Sequence, residues 1–271
     1  MAGKVCIVIP VHSPNPEYYE LVSFRQCFRV LGNHPIYVIA PKGLDMTAYN
    51  AVVPEFEIKY INPEWFASKL NYNKLKLSQY FYSLFSQYMY MLTYELDAFV
   101  FTDDLNHWCN KGYDYIGAPW LNEAGTEITG IGNSGFSLRK ISAIQAGLKN
   151  VYYIDQKKHS AIRKQGFIMK LKKPIFKVLR VLAKMKSIFN NENATIQRAG
   201  FLYEDKLIHD YLAKDNFKMA PVEDACRFSF ETHPDVLYRI NEGKLPMGCH
   251  AWWRYDLPFW KPFIESYGYR L

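Results

Sequence analysis

Residues 4–11 (KVCIVIPV) form a continuous apolar run near the start of the chain. A run of this length without polar alternation is typical of a strand whose two faces are both buried. Helical spacing then alternates with strand-like segments along the first 120 residues: residues 17–31 and 72–88 are predicted as helices, and residues 36–40, 56–61 and 113–118 as strands. This alternation predicts an α/β fold with a mainly parallel central sheet flanked by helices.

The chain has 271 residues and no internal repeat, which favours a single domain. Its five cysteines are odd in number and include no C-x-x-C pair, so we expect a reducing compartment and no structural zinc. The first residues predict no signal peptide, and no apolar stretch of 18 residues occurs in the sequence. The expectation is therefore a cytoplasmic protein.

Two acids interrupt the long apolar run of residues 88–101, namely Glu95 and Asp97. If this run is one strand, both acids lie on the same face. Their companions on that face are Met91, Thr93, Phe99 and Phe101. Burying two like charges is costly unless a counter-charge is present, and Mg²⁺ or Mn²⁺ would supply one. The alternative is a wet strand end at which the acids meet water or a lysine.

Several segments together resemble one protein family. An acid-x-acid element after an apolar strand resembles the D-x-D element of GT-A-type nucleotide-sugar glycosyltransferases. The resemblance is to uncharacterised glycosyltransferases of bacterial polysaccharide gene clusters. It rests on residues 72–78, 96–101, 113–120, 132–139, 204–205 and 248–253. It implies a GT-A-like (Rossmann-like) fold, with residues 1–120 as the nucleotide-sugar-binding half and residues 121–271 as the acceptor half.

The resemblance implies a metal site on the donor diphosphate. Asp97, together with Glu95, would hold Mn²⁺ or Mg²⁺ there. The first acid of this element is Asp in the family and Glu here, which has a longer arm. His250, between Gly248 and a tryptophan pair, would be a late metal or phosphate ligand; a packing or hydrogen-bonding role is the alternative for this histidine.

The resemblance also implies a place for the donor nucleotide. Pro10, Val11 and His12 end the first strand, where open α/β sheets bind their ligands, and would line the base and ribose. Asn73 and Lys74 would face the donor as well. Lys74 is explained equally by a solvated position on a helix.

For the acceptor, the resemblance indicates a glycine-rich segment, residues 132–135, preceded by Trp120. Asn133, Ser134 and Gly135 would lie under the sugars, because small residues let a backbone approach a ligand closely. A plain turn explains the glycines too. Trp120 would either stack on a sugar ring or pack in the core.

Glu204 and Asp205 precede an apolar helical run. Acids are favourable near a helix N-terminus, and this accounts best for Glu204. In similar inverting enzymes an acid of this pair removes the proton of the acceptor hydroxyl. We therefore predict Asp205 as the catalytic base of an inverting reaction. A retaining reaction needs no such base.

Basic residues are concentrated in one insert, residues 157–190. It holds 11 of the 33 Lys and Arg and none of the 26 Asp and Glu, so the remainder of the chain has a net charge of −4. Residues 174–189 have the spacing of an amphipathic basic helix, which indicates contact with an anionic membrane surface. A helix packed on the domain with a solvated basic face is the alternative. Nucleic acid is disfavoured because no base-reading motif accompanies the charge.

The predicted function is transfer of a sugar from a nucleotide-sugar, with UDP-sugar favoured by the resemblance, to a glycan acceptor in bacterial surface polysaccharide or lipopolysaccharide synthesis. A non-catalytic nucleotide- or sugar-binding protein on the same fold is the alternative. A nucleotidyltransferase would also use paired acids, but it should show a glycine-rich, basic loop after the first strand. Residues 12–16 (HSPNP) lack one.

Overall fold

A six-stranded sheet forms the centre of the protein in this computed structural model, which describes residues 3–155, 192–213 and 216–271. The strands are β1 (Gly3–Pro10), β2 (Ile36–Pro41), β3 (Glu57–Ile61), β4 (Tyr88–Tyr94), β5 (Phe99–Val100), β6 (Tyr115–Ile116), β7 (Ala118–Leu121), β8 (Ile128–Gly132), β9 (Phe136–Lys140), β10 (Ser229–Phe230) and β11 (Gly248–Cys249). The central sheet has the order β3-β2-β1-β4-β9-β6. Its first four strands are parallel, whereas β9 runs antiparallel to both β4 and β6.

The side chains of β1 alternate between two cores. Ile7 and Ile9 join the core on one face, while Cys6 and Val8 join the core on the other. All four are at most 1 % exposed. Full burial of such an aliphatic side chain contributes about 1.5–3 kcal/mol. The prediction of a mainly parallel sheet covered by helices on both faces is therefore confirmed.

Helices cover both faces of this sheet. They are α1 (Tyr18–Leu31), α2 (Thr47–Asn50), α3 (Lys69–Lys76), α4 (Gln79–Ser83), α5 (Leu105–Lys111), α6 (Ile141–Lys149) and five unlabelled helices, Ala194–Gln197, Glu204–Leu207, Val222–Phe228, Pro234–Ile240 and Leu257–Glu265. A 3₁₀ turn, Pro63–Phe66, and a π turn, Ile208–Leu212, complete the set. The predicted single helix over residues 72–88 is wrong: the Ser78 hydroxyl accepts a hydrogen bond from the Phe81 amide at 3.0 Å and starts α4 as a separate helix.

The apolar run of residues 88–101 is not one strand, which corrects the prediction. β4 ends at Tyr94, and the amide of Ala98 donates to the carbonyl of Glu95 at 2.9 Å to form a turn. β5 then joins a separate three-stranded sheet in the order β10-β11-β5. The reason is tertiary: the phenylalanines of this run pack with the C-terminal helix rather than over the central sheet. The glycine-rich segment, whose glycines a plain turn would also explain, begins at the last residue of β8.

The cysteines are all free and buried. Among the helices of the described residues, none has the length and apolarity needed to cross a membrane. The basic insert of residues 157–190 lies outside the described residues. Its predicted amphipathic helix, residues 174–189, lies there as well.

Gly248 lies in the small sheet formed by β10, β11 and β5, where its backbone packs directly against the Phe136 ring. A Cβ added there would lie 2.3 Å from Cζ of Phe136, which is fully buried. We expect Gly248→Ala to lower the free energy of unfolding by ~1–3 kcal/mol through overpacking. Urea unfolding would measure the loss, with Gly200→Ala as control because a Cβ there meets no atom within 4 Å. Equal stability of the two variants would contradict this account.

Candidate active site

A cavity of about 530 Å³ opens at the carboxyl ends of β1 and β4. The two strands are parallel neighbours, with Val8 paired to Thr93, so their last residues reach the same edge of the sheet. Open α/β sheets bind ligands at this edge. Charged side chains of both signs line the cavity. The acids are Glu20, Glu95, Asp97, Asp205 and Glu231, and the basic residues are His12, Lys69, Lys76, His250 and Arg254.

Glu95, Asp97 and His250 form a cluster inside this cavity, although Glu95 and Asp97 lie in a turn and not on one strand. The imidazole Nε2 lies 3.0 Å from Asp97 Oδ1 and 3.7 Å from Glu95 Oε2. One potential ligand atom from each of the three residues lies within 4.8 Å of the others. The turn after β4 supplies both acids and the end of β11 supplies the histidine, and a hydrogen bond from the Trp252 amide to the Asp97 carbonyl ties these segments together at 3.3 Å.

In this cluster, the carboxylates and His250 shift one another's pKa in the direction opposite to the effect of burial. Burial lowers the pKa of His250, but the carboxylates of Asp97 and Glu231 outweigh it and raise that pKa well above its usual value. Burial likewise raises the pKa of Asp97, yet His250 outweighs this effect and the net pKa is lowered. His250 and the two acids thus offset the cost of one another's burial.

The donor set suits a divalent cation. Two carboxylates supply hard oxygen atoms of the kind that Mn²⁺ and Mg²⁺ prefer, and imidazole is a common third ligand of transition metals. Although it lies close to Asp97, the buried Nε2 of His250 makes no hydrogen bond of acceptable geometry. A buried polar atom without a hydrogen bond, aimed at two acids, is a position that a cation would satisfy.

Lys76 is a site residue that the sequence analysis missed. Its ammonium lies 2.8 Å from Glu95 Oε1 and also contacts the Ser134 hydroxyl. The Tyr72 hydroxyl donates to the same Glu95 oxygen at 2.9 Å. Burial raises the pKa of Glu95, but Lys76 and His250 together hold it well below its usual value. One oxygen of Glu95 is thus held by neighbours, and the other faces His250.

A helical spacing could have identified Lys76. Lys69, Tyr72, Asn73 and Lys76 occupy positions i, i+3, i+4 and i+7 of α3, which lie on one face of a helix, and all four line the cavity. Lys74 lies off this face and does not line the cavity. On α3, the lysines that reach the cavity are therefore Lys69 and Lys76 and not the predicted Lys74.

Glu204 and Asp205 are adjacent in sequence but differ in environment. Glu204 is fully buried in an ion pair with Arg139 of β9, and its other oxygen lies 3.7 Å from Lys76. Asp205 lines the cavity, and its Oδ1 accepts the Lys206 amide at 2.8 Å. Burial, together with the charges of Glu204 and Glu231, raises the pKa of Asp205 to about 6. Of the two, only Asp205 faces the cavity.

The residues predicted to hold the nucleotide are divided between the cavity and the core. Pro10 and His12 line the cavity, whereas Val11 is fully buried in the core and does not line it. The reason is the two-sided burial of the first strand, which continues through Val11. Asn73 lines the cavity, and its Oδ1 also accepts the amide of Glu204 at 3.1 Å.

Two of the predicted acceptor residues have packing roles in this structure. Trp120 does not line the cavity; its ring lies against Gly132, where an added Cβ would be 1.9 Å from it. Asn133 is fully buried, and its Oδ1 accepts the amides of Gly135 and Phe136 at 2.9 and 3.0 Å. The side chain of Asn133 therefore shapes the glycine-rich turn from inside.

The remaining two predicted acceptor residues adjoin the acidic cluster. Ser134 lines the cavity and contacts Glu95 at 3.3 Å through its hydroxyl. Gly135 lies beneath the His250 ring, where an added Cβ would be 2.2 Å from that ring. The glycine is needed so that the imidazole can reach the acids.

Glu231 and Arg254 are further cavity residues that the sequence analysis did not select. Glu231 Oε1 lies 2.7 Å from His250 Nδ1, and Arg254 Nε lies 3.3 Å from Asp97 Oδ2. The left-handed conformation of Ala251 (φ 52°) turns the chain so that Arg254 returns toward the cluster. Glu231 and Arg254 are far from Glu95 and Asp97 in sequence and become their neighbours through the pairing of β5, β11 and β10, so no short motif identifies them.

The fold and the site define an α/β protein with a carboxylate–histidine cluster in a cavity at the carboxyl edge of its sheet. The chain belongs to a family described as "Protein of unknown function (DUF5672)", whose model matches residues 55–250. Among curated proteins, none matches it.

Several solved structures are similar in part. Mouse xyloside xylosyltransferase 1 in its apo form has a TM-score of 0.48 at 8% identity, with 91% of this chain and 97% of that one covered. The apo-form glycosyltransferase GlyE of Streptococcus pneumoniae TIGR4 has a TM-score of 0.44 at 11% identity over 97% of this chain and 63% of GlyE. The galactosyltransferase LgtC, in complex with donor and acceptor sugar analogues, has a TM-score of 0.44 at 15% identity over 90% and 86%. Because all three scores lie below 0.5, the function proposed below rests on the site itself.

The two neighbouring acids should respond oppositely to substitution. Glu204→Ala leaves Arg139 buried without its partner, so we expect a loss of about 3–5 kcal/mol in the free energy of unfolding. Asp205→Asn keeps the oxygen that accepts the Lys206 amide and removes a carboxylate whose pKa is raised to about 6 by burial, so this variant should be at least as stable as wild type at pH 7. Urea unfolding of both variants would check this, and a Glu204→Ala protein as stable as wild type would refute the buried role of Glu204.

Proposed function

We propose that this protein is a metal-dependent glycosyltransferase that moves a sugar from a nucleotide-sugar donor to a glycan acceptor. The observation that supports it is the cluster of Glu95, Asp97 and His250, which shares one cavity with a separate carboxylate, Asp205. The cluster suits a metal on a diphosphate, and the separate carboxylate suits proton removal. Glycosyl transfer from a nucleotide-sugar uses both chemistries at once.

The donor is assigned to the side of the cavity formed by β1, α3 and the cluster. Pro10 and His12 would face the base and ribose, and Asn73 would face the donor beside them. Mn²⁺ or Mg²⁺, held by Asp97, Glu95 and His250, would supply the positive charge that stabilises the departing diphosphate. Arg254, with a side chain 63% exposed, would add a second cationic contact. UDP is the favoured nucleotide, on the sequence resemblance.

The acceptor hydroxyl is assigned to Asp205. Its carboxylate would take the hydroxyl proton while the acceptor oxygen bonds to the anomeric carbon. The bond from that carbon to the diphosphate breaks in the same displacement, which inverts the anomeric configuration and releases the nucleoside diphosphate. A base with a pKa of about 6 is deprotonated at neutral pH and still basic enough to help, a contribution of ~10²–10⁴-fold.

The pH dependence follows from this assignment. The active form of Asp205 is its carboxylate, so kcat should rise with pH through about 6 and then level off. Asp205→Asn should lower kcat by ~10²–10⁴-fold and remove this ascending limb, while donor binding survives. Steady-state kinetics from pH 5 to 8 would test it. Near-wild-type turnover of Asp205→Asn would show that another group is the base.

The donor and the metal can be tested together by thermal shift. UDP-, GDP-, CMP- and dTDP-sugars would be screened with Mn²⁺, because a ligand present at 100 times its Kd stabilises the folded state by about 2.7 kcal/mol. Asp97→Asn should remove the Mn²⁺-dependent part of the shift. Asp103→Asn, an acid paired with His34 at 2.8 Å outside the cavity, is the matched control.

The outcomes separate the alternatives. No stabilisation by any donor, or the same stabilisation in Asp97→Asn, would contradict the proposed function. Tight binding of one donor without any turnover would favour the alternative, a non-catalytic nucleotide- or sugar-binding protein on the same fold.

We also propose that the basic insert places the enzyme on an anionic membrane surface, at the inner face of the cell membrane, during surface polysaccharide or lipopolysaccharide synthesis. The described residues on the two sides of the insert lie close to each other, which is compatible with this proposal. The side-chain amide of Asn193 donates to the carbonyls of Leu148 and Val151 at 2.6 and 2.7 Å, so the segments before and after the insert are in contact. Each Lys or Arg near such a surface contributes ~1 kcal/mol.

Liposome co-sedimentation tests this placement. The triple variant Lys177→Gln/Arg180→Gln/Lys184→Gln removes three charges from the insert, so its binding to anionic vesicles should weaken by ~100-fold, from ~1 kcal/mol per charge. Arg239→Gln/Lys244→Gln/Lys261→Gln removes three exposed charges elsewhere and should bind like wild type. Wild-type protein that sediments with neither anionic nor neutral vesicles would rule out the membrane role.

A further inference from the structure

Glu231 contacts the nitrogen of His250 that faces away from the acidic pair. Its Oε1 accepts a hydrogen bond from Nδ1 at 2.7 Å, whereas Nε2 on the other side of the ring lies 3.0 Å from Asp97. The cluster of potential metal ligands among the described residues consists of Glu95, Asp97 and His250, without Glu231. The contact of Glu231 with His250 therefore lies on the far side of the ring from that cluster.

The small sheet sets this arrangement. β10 and β11 are parallel, with Phe230 paired to Cys249, and the His250 amide donates to the Phe230 carbonyl at 2.9 Å. Glu231 and His250 are therefore the next residues on two neighbouring strands. On the other side of β11, Cys249 pairs with Phe99, two residues after Asp97. The pairing of these three strands therefore brings Asp97, His250 and Glu231 together at one edge of the small sheet.

The contact with Glu231 matters for metal binding because it influences which nitrogen of the imidazole carries the proton. A neutral ring carries one proton, on either Nδ1 or Nε2, and only the unprotonated nitrogen can bind a metal. A proton on Nε2 would point an N–H group of His250 at the cation. A carboxylate that accepts from Nδ1 keeps the proton there, directs the Nε2 lone pair at the cluster and increases the basicity of that nitrogen.

We propose that Glu231 is a positioning residue that holds His250 in the Nδ1-protonated tautomer, with Nε2 as ligand to a divalent cation shared with Glu95 and Asp97. This assignment rests on the proposed function, because it needs the metal site. Glu231 acts through His250 and does not touch the donor. Loss of such an outer partner costs 10–100-fold in metal affinity, on the order of magnitude seen for metal sites in general.

Mn²⁺ binding to the full-length protein without nucleotide provides the test, with free Mn²⁺ measured by electron paramagnetic resonance. Glu231→Ala should weaken binding by ~10–100-fold. Glu231→Gln, whose side-chain oxygen can still accept from Nδ1, should restore part of the affinity. Glu242→Gln is the control, since Glu242 is an exposed acid whose partner is Lys244 at 3.1 Å. Its affinity should equal that of wild type.

A double variant separates positioning from direct ligation. In a His250→Ala background, Glu231→Ala should cause no further loss, because the residue through which it acts is gone. An equal further loss would overturn the proposal in favour of a direct ligand. Wild-type affinity in Glu231→Ala would overturn it while leaving the metal site intact. Wild-type protein that binds no Mn²⁺ would overturn both this proposal and the metal site of the proposed function.

The tautomer itself can be read from ¹⁵N-histidine spectra of the Mg²⁺-loaded protein. The wild-type His250 ring should carry its proton on Nδ1, and Glu231→Gln should keep that form. At a Mg²⁺ concentration that saturates wild type, Glu231→Ala should leave part of its molecules without the ion, and their rings should include the form protonated on Nε2. If that variant does not fold, the wild-type and Glu231→Gln spectra decide. A wild-type ring protonated on Nε2 would overturn the proposal.

Discussion

The burial of several carboxylates beside one another is the constraint on which this structure depends. Glu95 and Asp97 lie at the carboxyl edge of the central sheet and Glu204 lies against Arg139 of β9, with side chains only 21%, 9% and 0% exposed. Buried charges are tolerated only when they are paired and hydrogen-bonded. Each of the three acids has a basic partner from a different segment. The pairs are Glu95 with Lys76 of α3, Glu204 with Arg139 of β9, and Asp97 with His250, which follows β11.

These pairs also divide the site into a rigid part and a reactive part. Arg139 and Glu204 are both fully buried and fix β9 against the first residue of the helix Glu204–Leu207. Asp205, the next residue, has no basic side chain within ion-pair distance among the described residues, and its pKa is raised to about 6. A destabilised carboxylate next to a well-paired one is the pattern expected where a protein gives up stability for chemistry.

The sequence predicted the fold well because its strongest signal is local. A run such as residues 4–11 permits few structures, and the two cores around β1 follow from it. The break after Tyr94 was not predictable in this way. Residues 95–101 are as apolar, apart from their acids, as the strand before them, and only their packing against the C-terminal helix takes them into a second sheet.

The candidate site shows the same division. The sequence alone determined which residue types were available for chemistry: an acidic pair in an apolar run, a late histidine and an acid before a helix. Tertiary structure decided which of them meet, because Asp97, Glu231 and His250 become neighbours only through the pairing of β5, β11 and β10. Tertiary structure also decided that Asp205 and Lys76 line the cavity whereas Glu204 and Lys74 do not. The burial and the charged neighbours of each side chain come from segments that are distant in sequence, so spacing along the chain does not predict them.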